Sequence, residues 1–262
     1  MMRYLIRCCS DKKYGLGHFM RCIRVYNELK KRKKKVKFYI DKKYDFMNNF
    51  IFEYSEIYPK KNFRNQTHDS DLFLQKISNE YKKNEKKVVI KDDYRLNFLW
   101  EKKISKKLKA KMVVFDDFDN TNHFADLIIN PKTKFFMNNS PSVETVDGKR
   151  CIYLLGPKFS LIDKIKKNKK YNKFTVVVNF GGSKKNIYVR NILSSISKLN
   201  EKINYVFIIS PFVNLNLKTK KNIKIINDSY DLQSIYSKCH LFLGAAGTSV
   251  YEVSSQKFQV FF

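Results

Sequence analysis

No stretch of this 262-residue chain is apolar for long enough to cross a membrane, and runs such as 173–179 are strand-length and bounded by charge. Arg3 and Arg7 interrupt the opening MMRYLIRCCS, so no signal peptide is read and a cytoplasmic protein without membrane insertion is expected. Paired cysteines are also lacking. Cys8, Cys9, Cys22, Cys151 and Cys239 are odd in number and contain no CxxC, which fits neither a disulfide framework nor a zinc site. Cys8 and Cys9 are adjacent on an expected strand, where they would point to opposite faces and serve packing.

Acidic residues are scarce, 24 against 53 basic ones, for a net charge of +29. Such a balance invites a nucleic-acid reading, but the modules that would carry it are missing: no zinc-finger spacing, no aromatic RNP-like strand and no separate basic tail. The lysines are spread over most expected surface segments, as at 30–35, 82–87, 164–170 and 218–224. No nucleic-acid partner is therefore expected. A lysine-rich surface also suits an anionic small molecule, because its field attracts a diphosphate.

What is present is an alternation of short β-like and helix-like runs, the pattern of an α/β protein with mostly parallel strands. Strands are expected at 4–8, 36–40, 88–90 and 112–115, with a helix over 18–31 whose apolar positions are Phe19, Cys22, Ile23, Tyr26 and Leu29. Two strands end in acidic pairs, Asp92-Asp93 and Asp116-Asp117, and carboxyl ends of parallel strands are where such sheets place ligands. Short apolar segments follow up to 130 and over 151–155. After a lysine-rich stretch the pattern restarts: strand 174–178, helix 187–199, strands 205–209 and 223–226, helix 232–238, strand 241–244, and a final apolar strand from Gln259. The expected domains are 1–155, a linker over 156–172, and 173–262, with a cleft between the two.

Three glycine-bearing turns follow strands. GLGHFMR, Gly15 to Arg21, is no P-loop, because no Gly-Lys-Ser/Thr follows, and Met20 stands where GxGxxG needs its third glycine. It leaves a turn with Gly15 and Gly17 free to adopt positive φ, then a helix with His18 in its first turn and Arg21 on the same face. Histidine exchanges protons near neutral pH, so an active-site loop and a plain capped turn stand about even. Gly181, Gly182 and Ser183 form a second turn, whose amides suit a phosphate or merely join strand to helix. GAAGTSVYE is the third: Gly247, then Thr248 and Ser249 opening a helix, then Glu252 a turn later. Its amides and hydroxyls can hold a diphosphate and its carboxylate ribose hydroxyls, while Thr248 or Ser249 can equally be an N-cap. One acidic pair, Asp116-Asp117, is too little for a metal. Of the remaining histidines, His68 reads as a loop residue, His123 as structural, and His240 lies in an apolar run.

In order and spacing these motifs resemble the UDP-sugar hydrolases of pseudaminic-acid biosynthesis, relatives of the MurG-like GT-B glycosyltransferases. The matching pieces are Arg7 with GLGHFMR, the DDY of Asp92 to Tyr94 where the family tends to Asp-His-Tyr, FDDF with His123 and ADLIINP, LLGPKFSLI, FGGS and GAAGTSVYE. The resemblance implies a GT-B-like α/β fold, two Rossmann-like domains facing a cleft, and a monomer. It implies release of UDP from UDP-2,4-diacetamido-2,4,6-trideoxy-β-L-altrose, with no metal and no cofactor. By the same resemblance His18 activates water, Gly17 keeps the backbone clear, Tyr94 orients sugar or water, Gly247, Thr248 and Ser249 hold the diphosphate, and Glu252 holds the ribose. Gly15, Arg21, Gly181, Gly182 and Ser183 complete the expected substrate-binding set. Cys9 replaces a frequent aspartate and Ala246 a usual glycine. The family continues beyond the last strand into an Asn-Gln pair and a helix, so the second domain is expected to be incomplete here. Two alternatives stay open: a GT-B glycosyltransferase using a UDP-sugar donor, and a non-catalytic nucleotide-sugar binder.

Overall fold

The computed structural model describes residues 2–11, 17–59, 62–81, 85–118, 122–133, 142–162, 173–180, 189, 191–192, 194–196, 203, 205–209, 222–226, 232–245, 247–254 and 259–261. The chain divides into two compact units, one built from Met1–Asp11 and His18–Leu161, the other from Lys12–Gly17 and Ile162–Phe262.

The first unit opens with β1 (Met2–Cys8), α1 (Gly17–Lys31), β2 (Lys35–Ile40) and β3 (Tyr54–Glu56). It continues through α2 (Gln66–Glu80), β4 (Lys86–Asp92), α3 (Phe98–Leu108), β5 (Lys111–Phe115), β6 (Leu127–Asn130), β7 (Ser142–Val146) and β8 (Lys149–Leu155). These strands form one sheet in the order β3-β2-β1-β4-β5-β6-β8-β7, parallel throughout except for the β7–β8 pair. Strands covered on both faces read as continuous apolar runs, which is why Leu5, Ile6, Val89 and Met112 are all buried. Leu5, Tyr39, Phe73, Val89, Trp100 and Ile104 belong to the main core.

Two helices absent from the sequence expectation close that core. On α2 the Asn65 side chain accepts from the His68 amide, capping the helix, and Phe73 and Ile77, four apart, turn inward. His68 is thus a first-turn helix residue rather than a loop residue. On α3 the Asn97 side chain caps the Leu99 amide, Trp100 and Ile104 face the core, and Lys109 ends the helix in the left-handed region at φ 49°.

The second unit contains β9 (Thr175–Asn179), β10 (Tyr205–Ile209), β11 (Ile223–Ile226), α4 (Gln233–Tyr236), β12 (Leu241–Gly244), α5 (Thr248–Ser254) and β13 (Gln259–Phe261). Its sheet is parallel throughout, in the order β11-β10-β9-β12-β13. Every residue of the central β9 is buried. Val176 and Val178 enter one core cluster and Val177 the cluster on the opposite face, as the two-residue period of a strand requires. The helix expected over 187–199 lies largely outside the described residues.

Both sheets reverse direction beside their first strand. In the first unit the chain runs outward through β2 and β3, then returns to place β4 on the other side of β1; in the second, β12 returns beside β9 in the same way. Such switch points leave a crevice at the carboxyl ends of the two central strands. Cys8 and Asp92 mark it in the first unit, and Asn179 and Gly244 in the second.

Candidate active site

At the first switch point, β4 delivers Asp92 fully buried beneath the start of α1. His18 Nδ1 lies 2.6 Å from Asp92 Oδ1, and Arg21 reaches the same carboxylate through Nε at 2.7 Å and Nη2 at 2.7 Å. The spacing of three on α1 puts both groups over one carboxylate. Burial pushes Asp92 up, but Arg21 and His18 outweigh it and hold the carboxyl below the usual carboxylate range. An ionised carboxylate can only accept, so the His18 nitrogen that faces it, Nδ1, carries a proton and the ring is held in one orientation. The pair is an imidazole oriented by a buried acid.

Arg21 does not stop at Asp92. Its Nη1 donates to Asp117 Oδ1 at 2.7 Å, Nη2 also approaches the Tyr94 hydroxyl at 3.4 Å, and the guanidinium stacks over Phe115 at 4.8 Å. Lys132 Nζ and the Tyr94 hydroxyl both donate to Asp117 Oδ2, at 2.7 and 2.5 Å. Burial, with Asp117 and Asp92 nearby, pushes the Tyr94 phenol well up, so Tyr94 serves as a neutral donor. Its ring meets His18 edge-on, centroids 4.4 Å apart. All three guanidinium nitrogens of Arg21 are therefore engaged within the protein, which makes it an organiser of His18, Tyr94 and the loop after β5.

A second buried network lies behind the first. Arg7 donates to Asp69 through Nη2 at 2.6 Å and to Asp41 at 2.8 Å, and Arg95 bridges Asp41 at 2.9 Å and Asp93 at 2.5 Å. Trp100 and Tyr58 complete the shell around Asp69. The Ser10 amide donates to Asp41 at 3.1 Å, so the segment after β1 has a polar anchor even with Cys9 rather than an aspartate at its start. Cys9, Asp41 and Asp93 are close enough together to suggest a cation site among the described residues. Both carboxylates are already held by guanidinium groups and burial keeps the Cys9 thiol protonated, a donor set that suits an ion pair and not a metal.

In the second unit, Gly244 ends β12 where a Cβ would come 2.1 Å from the Asn179 carbonyl oxygen, so only glycine lets β12 and β9 close there. The Asn179 amide donates to the Tyr236 hydroxyl at 2.7 Å and approaches Ser249 Oγ at 3.4 Å. A Cβ at Gly247 would meet the Ala245 carbonyl oxygen at an ordinary 3.9 Å, and the Gly247 carbonyl accepts from Val250 to start α5. Glu252 is buried on the same helix, near enough to Tyr236 to help raise that phenol, though burial contributes more.

The structure thus joins His18, Arg21 and Tyr94 in one site of the first unit, and groups Ser249 and Glu252 around Tyr236 in the second. Gly17 is exposed at the first residue of α1 and Thr248 is the first residue of α5. Gly15, Gly181, Gly182, Ser183 and Ala246 lie outside the described residues. Sequence reasoning left Asp92 and Asp117 without roles. Their signal was there, acidic residues at carboxyl ends of two strands, but nothing local ties Asp92 to a histidine 74 positions earlier.

No protein-family model matches the chain, and neither does any curated protein. Solved structures do resemble it. The MurG of Acinetobacter baumannii aligns over 97% of this chain and 76% of its own, with 10% identity and a TM-score of 0.59. The spinosyn forosaminyltransferase SpnP aligns over 99% and 79%, with 10% identity and a TM-score of 0.62. The UDP-GlcNAc 2-epimerase of Methanocaldococcus jannaschii aligns over 99% and 83%, with 14% identity and a TM-score of 0.53. The fold is that of the GT-B glycosyltransferases, in two α/β units with mostly parallel sheets. Among the described residues no helix is long and apolar enough to cross a membrane.

Proposed function

We propose that this protein is a nucleotide-sugar hydrolase that releases UDP from UDP-2,4-diacetamido-2,4,6-trideoxy-β-L-altrose. The observation that carries the reading is the oriented imidazole: His18 Nδ1 lies 2.6 Å from the buried Asp92, and the neutral ring would take a proton at Nε2. Water would attack the anomeric carbon as the bond from that carbon to the diphosphate oxygen breaks. The bonding pair leaves with UDP, the water proton passes to Nε2, and the anomeric centre inverts. Asp92 then faces an imidazolium, the charge state its own negative charge favours. Tyr94, whose one hydroxyl proton goes to Asp117, orients sugar or water by accepting at its phenol oxygen, while Arg21 fixes Asp92, Tyr94 and Asp117. Gly17 keeps backbone bulk away from the base.

The second unit is assigned the nucleotide. Gly247, Thr248 and Ser249 would offer amides and hydroxyls to the diphosphate, and Glu252 would accept from the ribose. Gly15, Gly181, Gly182 and Ser183 belong to the same assignment as phosphate- or sugar-contacting turns. Stabilising the departing diphosphate with amides and dipoles makes UDP a competent leaving group.

One observation favours a second reading, transfer to a sugar or lipid acceptor: several of the similar solved structures are described as glycosyltransferases. The base is the same in both cases, and only the nucleophile differs. Incubating the protein with the UDP-sugar in the presence and absence of candidate acceptors separates them, because hydrolysis gives free sugar without any acceptor. His18→Ala is expected to remove turnover in either case.

A further inference from the structure

We propose that Phe118 is a specificity-determining platform, whose ring takes the apolar face and methyl groups of the sugar beside His18; this rests on the nucleotide-sugar reading. A single exposed apolar side chain is ordinary. Phe118 differs in how it is held and in what it adjoins. Its ring is 49% exposed, at a strand end otherwise furnished with ions. It meets the Tyr94 ring at 4.8 Å and 71°, and Tyr94 meets His18 at 4.4 Å and 72°, so three rings run in a row from the proposed base out to solvent.

The backbone beneath that ring is fixed from both preceding residues. The Phe118 amide donates to Asp116 Oδ1 at 2.8 Å, and Asp116 in turn faces His123 Nε2 at 3.3 Å. Asp117 is clamped by Arg21, Tyr94 and Lys132. A polar residue would be the ordinary occupant of so exposed a position in a polar loop. A rigid, half-exposed aromatic next to an oriented base matches a ligand that is polar at its edge and apolar on one face. Sugars have that form, since their C–H groups gather on a face that meets the negative face of an arene. Relative to a fully hydroxylated hexose, a 2,4-diacetamido-2,4,6-trideoxy sugar carries three methyl groups, one at C6 and two on acetamido groups, and lacks the hydroxyls at C2, C4 and C6, so this platform would favour it. One methyl group in an apolar contact discriminates by about ten- to a hundredfold.

The test uses the free 2,4-diacetamido-2,4,6-trideoxy sugar as probe in saturation-transfer NMR, with UDP as a separate probe and UDP release measured alongside. Saturation is expected at the C6 and acetamido methyls for the wild-type protein, for Phe118→Tyr and for His18→Ala, and to fall several-fold in Phe118→Ala, whose thermal melt should be unchanged because the ring is half exposed. The same F118A variant should raise KM for the UDP-sugar about tenfold with kcat little altered. Equal saturation in Phe118→Ala and wild type, or none in wild type, overturns the platform. Phe118-dependent saturation without UDP release upholds the platform and removes the hydrolysis reading; UDP release with an unaltered Phe118→Ala KM does the reverse.

Discussion

Removing the charge of Asp92 acts on two neighbours at once, because Nε and Nη2 of Arg21 and Nδ1 of His18 all bond its two oxygens. In Asp92→Asn the Arg21 guanidinium keeps only Asp117 as a carboxylate partner, which is expected to cost about 3 kcal/mol of stability by urea denaturation. His18 also loses the group that fixes its tautomer, so kcat for UDP release should fall on the order of 10²- to 10⁴-fold. A variant that keeps its kcat would exclude Asp92 as the positioning acid. Gly244 makes a different demand. A methyl there would sit 2.1 Å from a backbone oxygen, and Gly244→Ala should destabilise the second unit by about 1–3 kcal/mol, read from its melting transition. At this scale the sequence revealed His18 and Arg21, since a spacing of three on a helix is visible locally. Asp92 and Asp117 acquire their meaning from strand pairing that brings distant residues together.

Among the elements, the loop between β5 and β6 is tied down by a charged cluster that responds to pH. His123 bonds Glu101 through Nδ1 at 2.8 Å and faces Asp116 through Nε2 at 3.3 Å, while Lys91 bonds Glu101 at 2.6 Å. With a carboxylate on each nitrogen, the ring fits best when both carry protons. Burial, with Lys91, lowers its pKa, but Asp116 and Glu101 prevail and raise it above the ordinary histidine value. The stabilisation is therefore complete below the unfolded value of about 6.5, and it is lost as pH rises through the higher folded value. Denaturation midpoints taken across that range should decline with pH in the wild type and less so in His123→Gln; parallel slopes would refute the protonated ring. Most strands were legible from short β-like apolar runs and α1 from the helical spacing of Phe19, Cys22, Ile23 and Tyr26. The helices α2 and α3 were not, since α2 buries Asp69 and Ser70 and α3 buries Glu101, which blurs the apolar period.

For the whole molecule, each unit has its own sheet and its own buried clusters. The compact units divide at Leu161/Ile162. A fragment of residues 1–161 is expected to fold alone, with a cooperative thermal transition and dispersed amide spectra; a spectrum without dispersion would show that the first unit depends on the second. The restart of the α/β pattern after residue 172 made the two-unit plan legible, because strand-helix alternation survives in composition. Finer chemistry did not, since sugar stereochemistry leaves no mark on strand or turn signals. In the proposed function, His18, oriented by Asp92, activates water against a UDP-linked sugar. Its most direct test is proton NMR of UDP-2,4-diacetamido-2,4,6-trideoxy-β-L-altrose incubated with the protein and no acceptor. UDP and the inverted free sugar should form together, at a rate lowered on the order of 10²- to 10⁴-fold in His18→Ala. Equal rates in that variant, or UDP release only when an acceptor is supplied, would contradict the account.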